Sequence, residues 1–472
     1  MKKHIIPILI LLLVSGISAT AQQPASRRQP NIILILADDL GYGNLTCYMP
    51  GGKIKTPNID RLAESGLRFT RFYSGSTVCA PSRCALMTGR DMGHAYIRGN
   101  VAEANLRPQD TTLAKRLHDV GYATGMFGKW GLGERFSTGE PQRQGFDRFF
   151  GYLNQVHAHA YFTDSLFEVQ SGRMEKINFT EKLYSPDLIL DKALGFMKDN
   201  QGKPFFLYFS TTLPHAETLV PDELLKPFLL ADGSSKFGEE KPYAGAPGSL
   251  YSAQSKPHAT FAAMVTKLDS DVGRIVQQVH DLGLDNDTYI LFTSDNGAHN
   301  EGGGDAAFFN SSGPLRGIKR DLYEGGIHVP FIVKCPADRN KRGIVDGAFA
   351  FWDIQPTLCE LADAPRTNRT EGISFLKALL PGEVATGHKQ LYWQFAEGEL
   401  KEALIREDWK LIRFKQKGKP EVLELYNLGY DHGEVLDLAK RYPVKLAQLK
   451  AAMLACRTPA EHPDCDYSEY EQ

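Results

Sequence analysis

Three short, nearly continuous apolar runs constrain this chain most: Asn31-Ile32-Ile33-Leu34-Ile35-Leu36, Phe205-Phe206-Leu207-Tyr208-Phe209-Ser210 and Thr288-Tyr289-Ile290-Leu291-Phe292-Thr293. A strand with one wet face alternates apolar and polar residues. A strand that is apolar throughout is covered on both faces, as in a parallel sheet packed between helices. Each run ends in polar residues: Asp38-Asp39 after the first, Pro214-His215 after the second, Asp295-Asn296 after the third. A shorter strand, Tyr122 to Phe127, is followed by Gly128-Lys129-Trp130. Open α/β sheets bind ligands at these carboxyl ends. Helical patterns separate the strands, at Thr56 to Leu67, Thr112 to Val120, Pro186 to Asp199 and within Ser252 to Leu282. The expected fold is α/β, with a large doubly wound, mostly parallel sheet.

A chain of 472 residues exceeds what one ordinary core holds. Near residue 385 the pattern changes. Gln390 to Phe395, Ala403 to Arg406, Trp409 to Phe414 and Val422 to Asn427 are short strand-like runs, and Trp409 to Arg413 alternates. Glu434 to Cys456 reads as a helix interrupted at Pro443. The expected layout is a catalytic domain over 22–385 and a smaller C-terminal domain over 386–472 with an antiparallel sheet and a helix.

Residues 1–21 read as a secretory signal: Lys2 and Lys3, the apolar run Ile5 to Val14, then Ala19-Thr20-Ala21 as a cleavage site. The run is too short to span a membrane, and no later segment is apolar for long enough. The expectation is an exported protein, periplasmic or extracellular, with no stable membrane anchor. A net charge of −2 gives no reason to invoke nucleic acid. Export permits disulfides, and of the seven cysteines Cys456 and Cys465 are the pair expected to bridge.

The chemistry centres on Ser76 to Arg90. Pro81 suits the first turn of a helix, with good helix formers after it, so Cys79 is expected just before a helix N-terminus that favours an anion. Cys79-Ala80-Pro81-Ser82-Arg83 resembles the Cys-X-Pro-X-Arg signature of type I, formylglycine-dependent sulfatases of the alkaline phosphatase superfamily, and Thr88-Gly89-Arg90 falls where its second half ends. The resemblance implies that a maturation enzyme oxidises Cys79 to formylglycine, whose hydrate supplies the attacking hydroxyl. Asp38, Asp39, Asp295 and Asn296 offer only oxygen donors, which suit calcium or magnesium. The resemblance implies these four, with residue 79, around one calcium. It further implies that Arg83 orients the hydrated aldehyde, that Lys129 and Lys319 bind sulfate, and that His215 protonates the leaving oxygen. His299 is placed beside the leaving sugar.

Two positions depart from the family pattern. Gly131 stands where a histidine assigned to sulfate release is common, and His328 where arginine is frequent. Residues 151–162 (GYLNQVHAHAYF) are rich in histidine and aromatics, which suit a sugar ring. His157, His159, Tyr96, Arg98 and Asn100 are the candidates for substrate contact. The expected substrate is a sulfated carbohydrate, a galactose or hexosamine sulfate ester. The alternatives are a phosphodiesterase or phosphonate hydrolase of the same superfamily, and a non-catalytic protein that binds sulfated glycans with Cys79 unmodified.

Overall fold

A computed structural model describes residues 29–245, 251–339, 341–365, 367 and 369–471. The expected signal segment, 1–21, lies outside the described residues. Fourteen strands are described: β1 Asn31–Ala37, β2 Leu67–Tyr73, β3 Ala123–Lys129, β4 Arg148–Tyr152, β5 Phe162–Gln170, β6 Arg173–Tyr184, β7 Phe205–Ser210, β8 Thr288–Ser294, β9 Phe331–Lys334, β10 Gly343–Ala350, β11 Gln390–Ala396, β12 Leu400–Arg406, β13 Trp409–Lys415 and β14 Val422–Asn427. The first ten form one sheet in the order β10-β2-β9-β8-β1-β7-β3-β4-β5-β6. Its centre, β8-β1-β7-β3-β4, is parallel throughout. Antiparallel β9 and the β5–β6 hairpin make the whole sheet mixed.

β1 shows why its sequence is apolar at successive positions. Ile32, Leu34 and Leu36 enter one buried core, and Ile33, Ile35 and Ala37 enter the other. Helices Cys79–Thr88, Leu113–Asp119 and Ile354–Leu361 cover the first face, through residues such as Leu86, Leu117 and Leu358. Helices Pro57–Glu64, Ser185–Asp199 and Pro257–Asp281 cover the second, through Leu62, Leu190 and Leu268. Each core side chain removed from water contributes roughly 1.5–3 kcal/mol.

The four remaining strands form an antiparallel meander. One face, including Trp393, Ala403 and Ile412, joins the large body's core. The other, including Leu404, Leu411 and Leu425, packs with Leu449 and Met453 of helix Pro443–Leu454. That helix does not start at Glu434. Pro443 opens it in the first turn, where a missing N–H is harmless. The expected Cys456–Cys465 bridge is absent, and all seven cysteines are free thiols. Cys456 lies against the Ala452 carbonyl, while the Cys465 sulfur receives the Arg98 backbone N–H. Among the described residues no helix is long and apolar enough to cross a membrane.

One buried charge makes the fold sensitive to pH. Asp271 Oδ1 lies 2.5 Å from Lys267 Nζ, while its Oδ2 has no partner. Burial pushes this carboxyl up from 3.8 to about 6. Because the folded value lies above the unfolded one, its contribution to stability is complete below 3.8 and is lost as pH rises through about 6. Asp271→Asn is therefore expected to flatten the fall in melting temperature across this window. Above it, the variant gains up to ~3 kcal/mol, since Lys267 keeps Asp187 at 2.9 Å. Thermal melts in a pH series check this, and an unchanged slope would contradict it.

Candidate functional site

The site forms where β1, β3, β7 and β8 end. Ala37 and Ser294 are in register on parallel strands, so Asp38-Asp39 and Asp295-Asn296 leave the sheet side by side. Asp39 turns through a left-handed conformation, with φ of 63°, and its N–H donates to Asp295 Oδ1 at 3.1 Å. Asn296 Nδ2 donates to Asp39 Oδ1 at 2.7 Å. All four residues are fully buried.

Cys79 is the first residue of its helix, one step inside the position expected, with Pro81 at the third. Its sulfur lies 3.6 Å from Asp38 Oδ1. Donor atoms of Asp38, Asp39, Cys79 and His215 lie within 4.8 Å of one another. Burial pushes the Cys79 thiol up to about 12, so the unmodified residue is a protonated thiol at neutral pH.

Cations surround the carboxylates. Lys129 Nζ lies 2.7 Å from Asp38 Oδ2, and Lys319 Nζ lies 2.8 Å from Asp39 Oδ2. Arg83 is fully buried one turn after Cys79. It donates to Asp295 Oδ2 at 2.7 Å, the Lys129 carbonyl at 2.7 Å and Ser210 Oγ at 2.5 Å, which ties the exits of β8, β3 and β7 to the helix. Burial opposes ionisation of Asp38, yet Lys129 and Arg83 hold it well below the usual carboxylate range. Asp295 is pushed up to about 7 by burial and then by the charge of Asp38.

His215 Nε2 stands 3.1 Å from Lys319 Nζ and 3.3 Å from Asp39 Oδ2, and Nδ1 bonds the Ala216 carbonyl. Burial and Lys319 keep this imidazole well below its ordinary value. The ring is therefore neutral, with Nδ1 protonated and Nε2 accepting from the ammonium. His159 stacks on His215, with ring centroids 4.9 Å apart, and burial lowers it to about 4. His299 lies 5.8 Å from His215, ring to ring, with Nε2 3.2 Å from the Pro214 carbonyl. Asn100 accepts the Ala80 N–H, beside residue 79.

Three candidates make their contacts elsewhere. Arg98 donates to the Ala95 and Thr458 carbonyls. Tyr96 packs under Arg107 and beside His462. His157 bonds the Ser165 carbonyl and packs edge-on against Phe167. His328 braces Glu324, which also holds the buried Lys410. Glu301 belongs to the site although no motif pointed to it. Glu301 reaches Lys319 Nζ at 3.0 Å and the Tyr251 hydroxyl at 3.0 Å, and against the opposing pull of burial Lys319 lowers it to about 2. Its place two residues beyond His299 was the available signal.

The donor set fits a hard divalent cation. Three carboxylates and one amide converge, and the Asn296 amide is turned so that Nδ2 donates twice while buried Oδ1 has no partner. An orphaned buried oxygen costs about 1–3 kcal/mol, which an ion would remove.

A family model described as Sulfatase matches residues 30–364, and one described as N-sulphoglucosamine sulphohydrolase, C-terminal, matches residues 318–457. Human arylsulfatase A is 30% identical over 419 residues, covering 82% of this chain and 73% of that protein. Dog N-acetylgalactosamine-6-sulfatase is 29% identical over 418 residues, covering 80% and 70%. The crystal structure of Ps i-CgsB in complex with k-i-k-neocarrahexaose superposes with a TM-score of 0.74 at 26% identity, covering 92% and 95% of the two chains. With a family model spanning well over half its length, the chain belongs to the sulfatase family of the alkaline phosphatase superfamily and is a sulfuric ester hydrolase.

Proposed function

We propose that this protein is an exported sulfatase that removes sulfate from carbohydrates, using formylglycine made from Cys79 and one calcium ion. The observation that carries the reading is the position of residue 79. It sits at a helix N-terminus, within reach of Asp38, between two buried lysines. Asp38, Asp39, Asp295, Asn296 and residue 79 would hold the ion. Calcium would supply a Lewis acid for a sulfate oxygen, and the hydrated aldehyde a hydroxyl nucleophile.

The remaining roles belong to the chain's own side chains. Arg83, one turn from residue 79, orients the hydrated aldehyde and fixes Asp295 and the strand exits. Lys129 and Lys319, fixed and dry, face the anion and stabilise charge that builds on the sulfuryl oxygens. The proton shared between Lys319 Nζ and His215 Nε2 is the one this arrangement offers to the departing sugar oxygen. His159 and Tyr251, whose rings meet edge to face beside His215, provide aromatic walls for a sugar ring. A galactose or hexosamine sulfate ester is the proposed substrate, in keeping with the sugars in the names of its relatives.

The test is sulfate release from regioisomeric sulfates of galactose, N-acetylgalactosamine and N-acetylglucosamine, with residue 79 conversion verified by peptide mass. Release from one regioisomer is the expected result. Turnover of phosphate diesters in its place, or an unmodified thiol in fully matured protein, would overturn the reading.

A further inference from the structure

Beside residue 79 lies a cavity of about 440 Å³, bordered by Ala80, Asn100, Gly131, Glu134, Leu153 and Gln155 among others. Its wall continues the two segments that carry Cys79 and Lys129, since Ala80 follows Cys79 and Gly131 lies two residues after Lys129. The Gln155 amide is the anomaly here. Both Oε1 and Nε2 are shielded from water, and neither has a hydrogen-bond partner. An amide in that state forgoes up to four hydrogen bonds and costs about 1–3 kcal/mol for each unsatisfied group.

Gly131 makes this placement possible. It has φ of 75°, and a Cβ there would fall 2.4 Å from Gln155 Nε2. Any side chain at 131 would displace the amide. The loop carrying Gln155 is tied down beside it, because Asn154 Nδ2 donates to Glu134 Oε2 at 3.1 Å and Asn154 Oδ1 accepts the His157 N–H at 2.9 Å. An amide without partners, on a residue that lines the cavity beside the segments carrying Cys79 and Lys129, is a recognition group that a ligand would satisfy.

We propose that Gln155 is a specificity-determining residue, which recognises a neutral donor–acceptor group, a hydroxyl or an acetamido, on the sugar that bears the sulfate. This rests on the sulfatase reading above. An amide both donates and accepts, so it is matched by a group that does the same. The Glu134 carboxylate on the same wall disfavours a second sulfate or a uronate there.

The test compares matured wild type with Gln155→Leu, a change of similar length that removes the polar atoms. Three kinds of substrate are used: the preferred sulfated monosaccharide, analogues lacking one hydroxyl or acetamido group at a time, and an aryl sulfate with no sugar. One deletion is expected to lower wild-type kcat/KM at least about tenfold, and Gln155→Leu to lose as much on the parent sugar. The same deletion should then cost the variant no more than about twofold, with aryl sulfate turnover unchanged. The melting temperature should not fall, because nothing in the fold bonds to the amide. Gln155→Met repeats the comparison if leucine perturbs the loop. Equal activity of variant and wild type on the parent sugar overturns the proposal, as does an equal slowing on every substrate. Failure of wild type to release sulfate from any member, the aryl sulfate included, overturns the sulfatase reading itself. The aryl sulfate arm separates the two failures, since it does not engage Gln155.

Discussion

Cys79→Ala is expected to abolish sulfate release, by at least about 10⁴-fold in kcat/KM, while leaving the protein folded. The size follows from position rather than packing. Residue 79 is the group aimed at the cluster, and alanine can be neither oxidised to an aldehyde nor made nucleophilic. The structural loss is small, because the sulfur's one hydrogen-bond contact is a long approach to Asp38. A melting temperature within a few degrees of wild type, with no sulfate released, is the expected pair of results. Residual turnover near the wild-type rate would remove residue 79 from the reaction. A collapse in stability would show the thiol to be a packing element.

The second large effect is that of calcium removal. Three carboxylates converge, and burial already pushes one of them, Asp295, up to about 7. An ion that binds only the folded state adds about 2.7 kcal/mol at a hundredfold excess over its dissociation constant. Chelation is therefore expected to lower the melting temperature and to reduce activity at least about 10³-fold, and added calcium should restore both. Asn296→Ala should weaken the calcium-dependent rise in melting temperature, since it deletes the buried oxygen that has no other partner. Stability and activity indifferent to chelator would remove calcium from the proposal.

The large sheet was legible because its strands obey a simple rule. β7 has the limits its apolar run implied, and β1 and β8 extend theirs by one residue. The β5–β6 hairpin was not legible. β6, Arg173–Tyr184, is a mostly exposed edge strand, so it carries no apolar run to mark it. Motifs at strand exits located Asp38, Asp39, Asp295, Asn296, Lys129 and His215, since exit position follows from strand order. Gln155 and Glu301 lay hidden because their placement depends on how loops fold back. Tyr96, Arg98 and His157 sat near the right motifs in sequence, but their side chains turn to local partners, a choice that periodicity does not encode.

The paired lysines carry one more consequence. Asp38 and Asp39 are adjacent in sequence, yet each has its own buried ammonium, and Arg83 serves Asp295. With Glu301 and its partner Arg320 added, four acids and four bases cancel at formal charge, so the nucleus of the pocket exerts little pull on an anion by itself. A divalent ion held there, as proposed, would shift that balance by two. Cation and sulfate ester would then be heterotropically linked, each raising the affinity of the other by the same factor, because the coupling free energy is shared. A bound sulfated substrate would thereby help the protein retain the proposed ion.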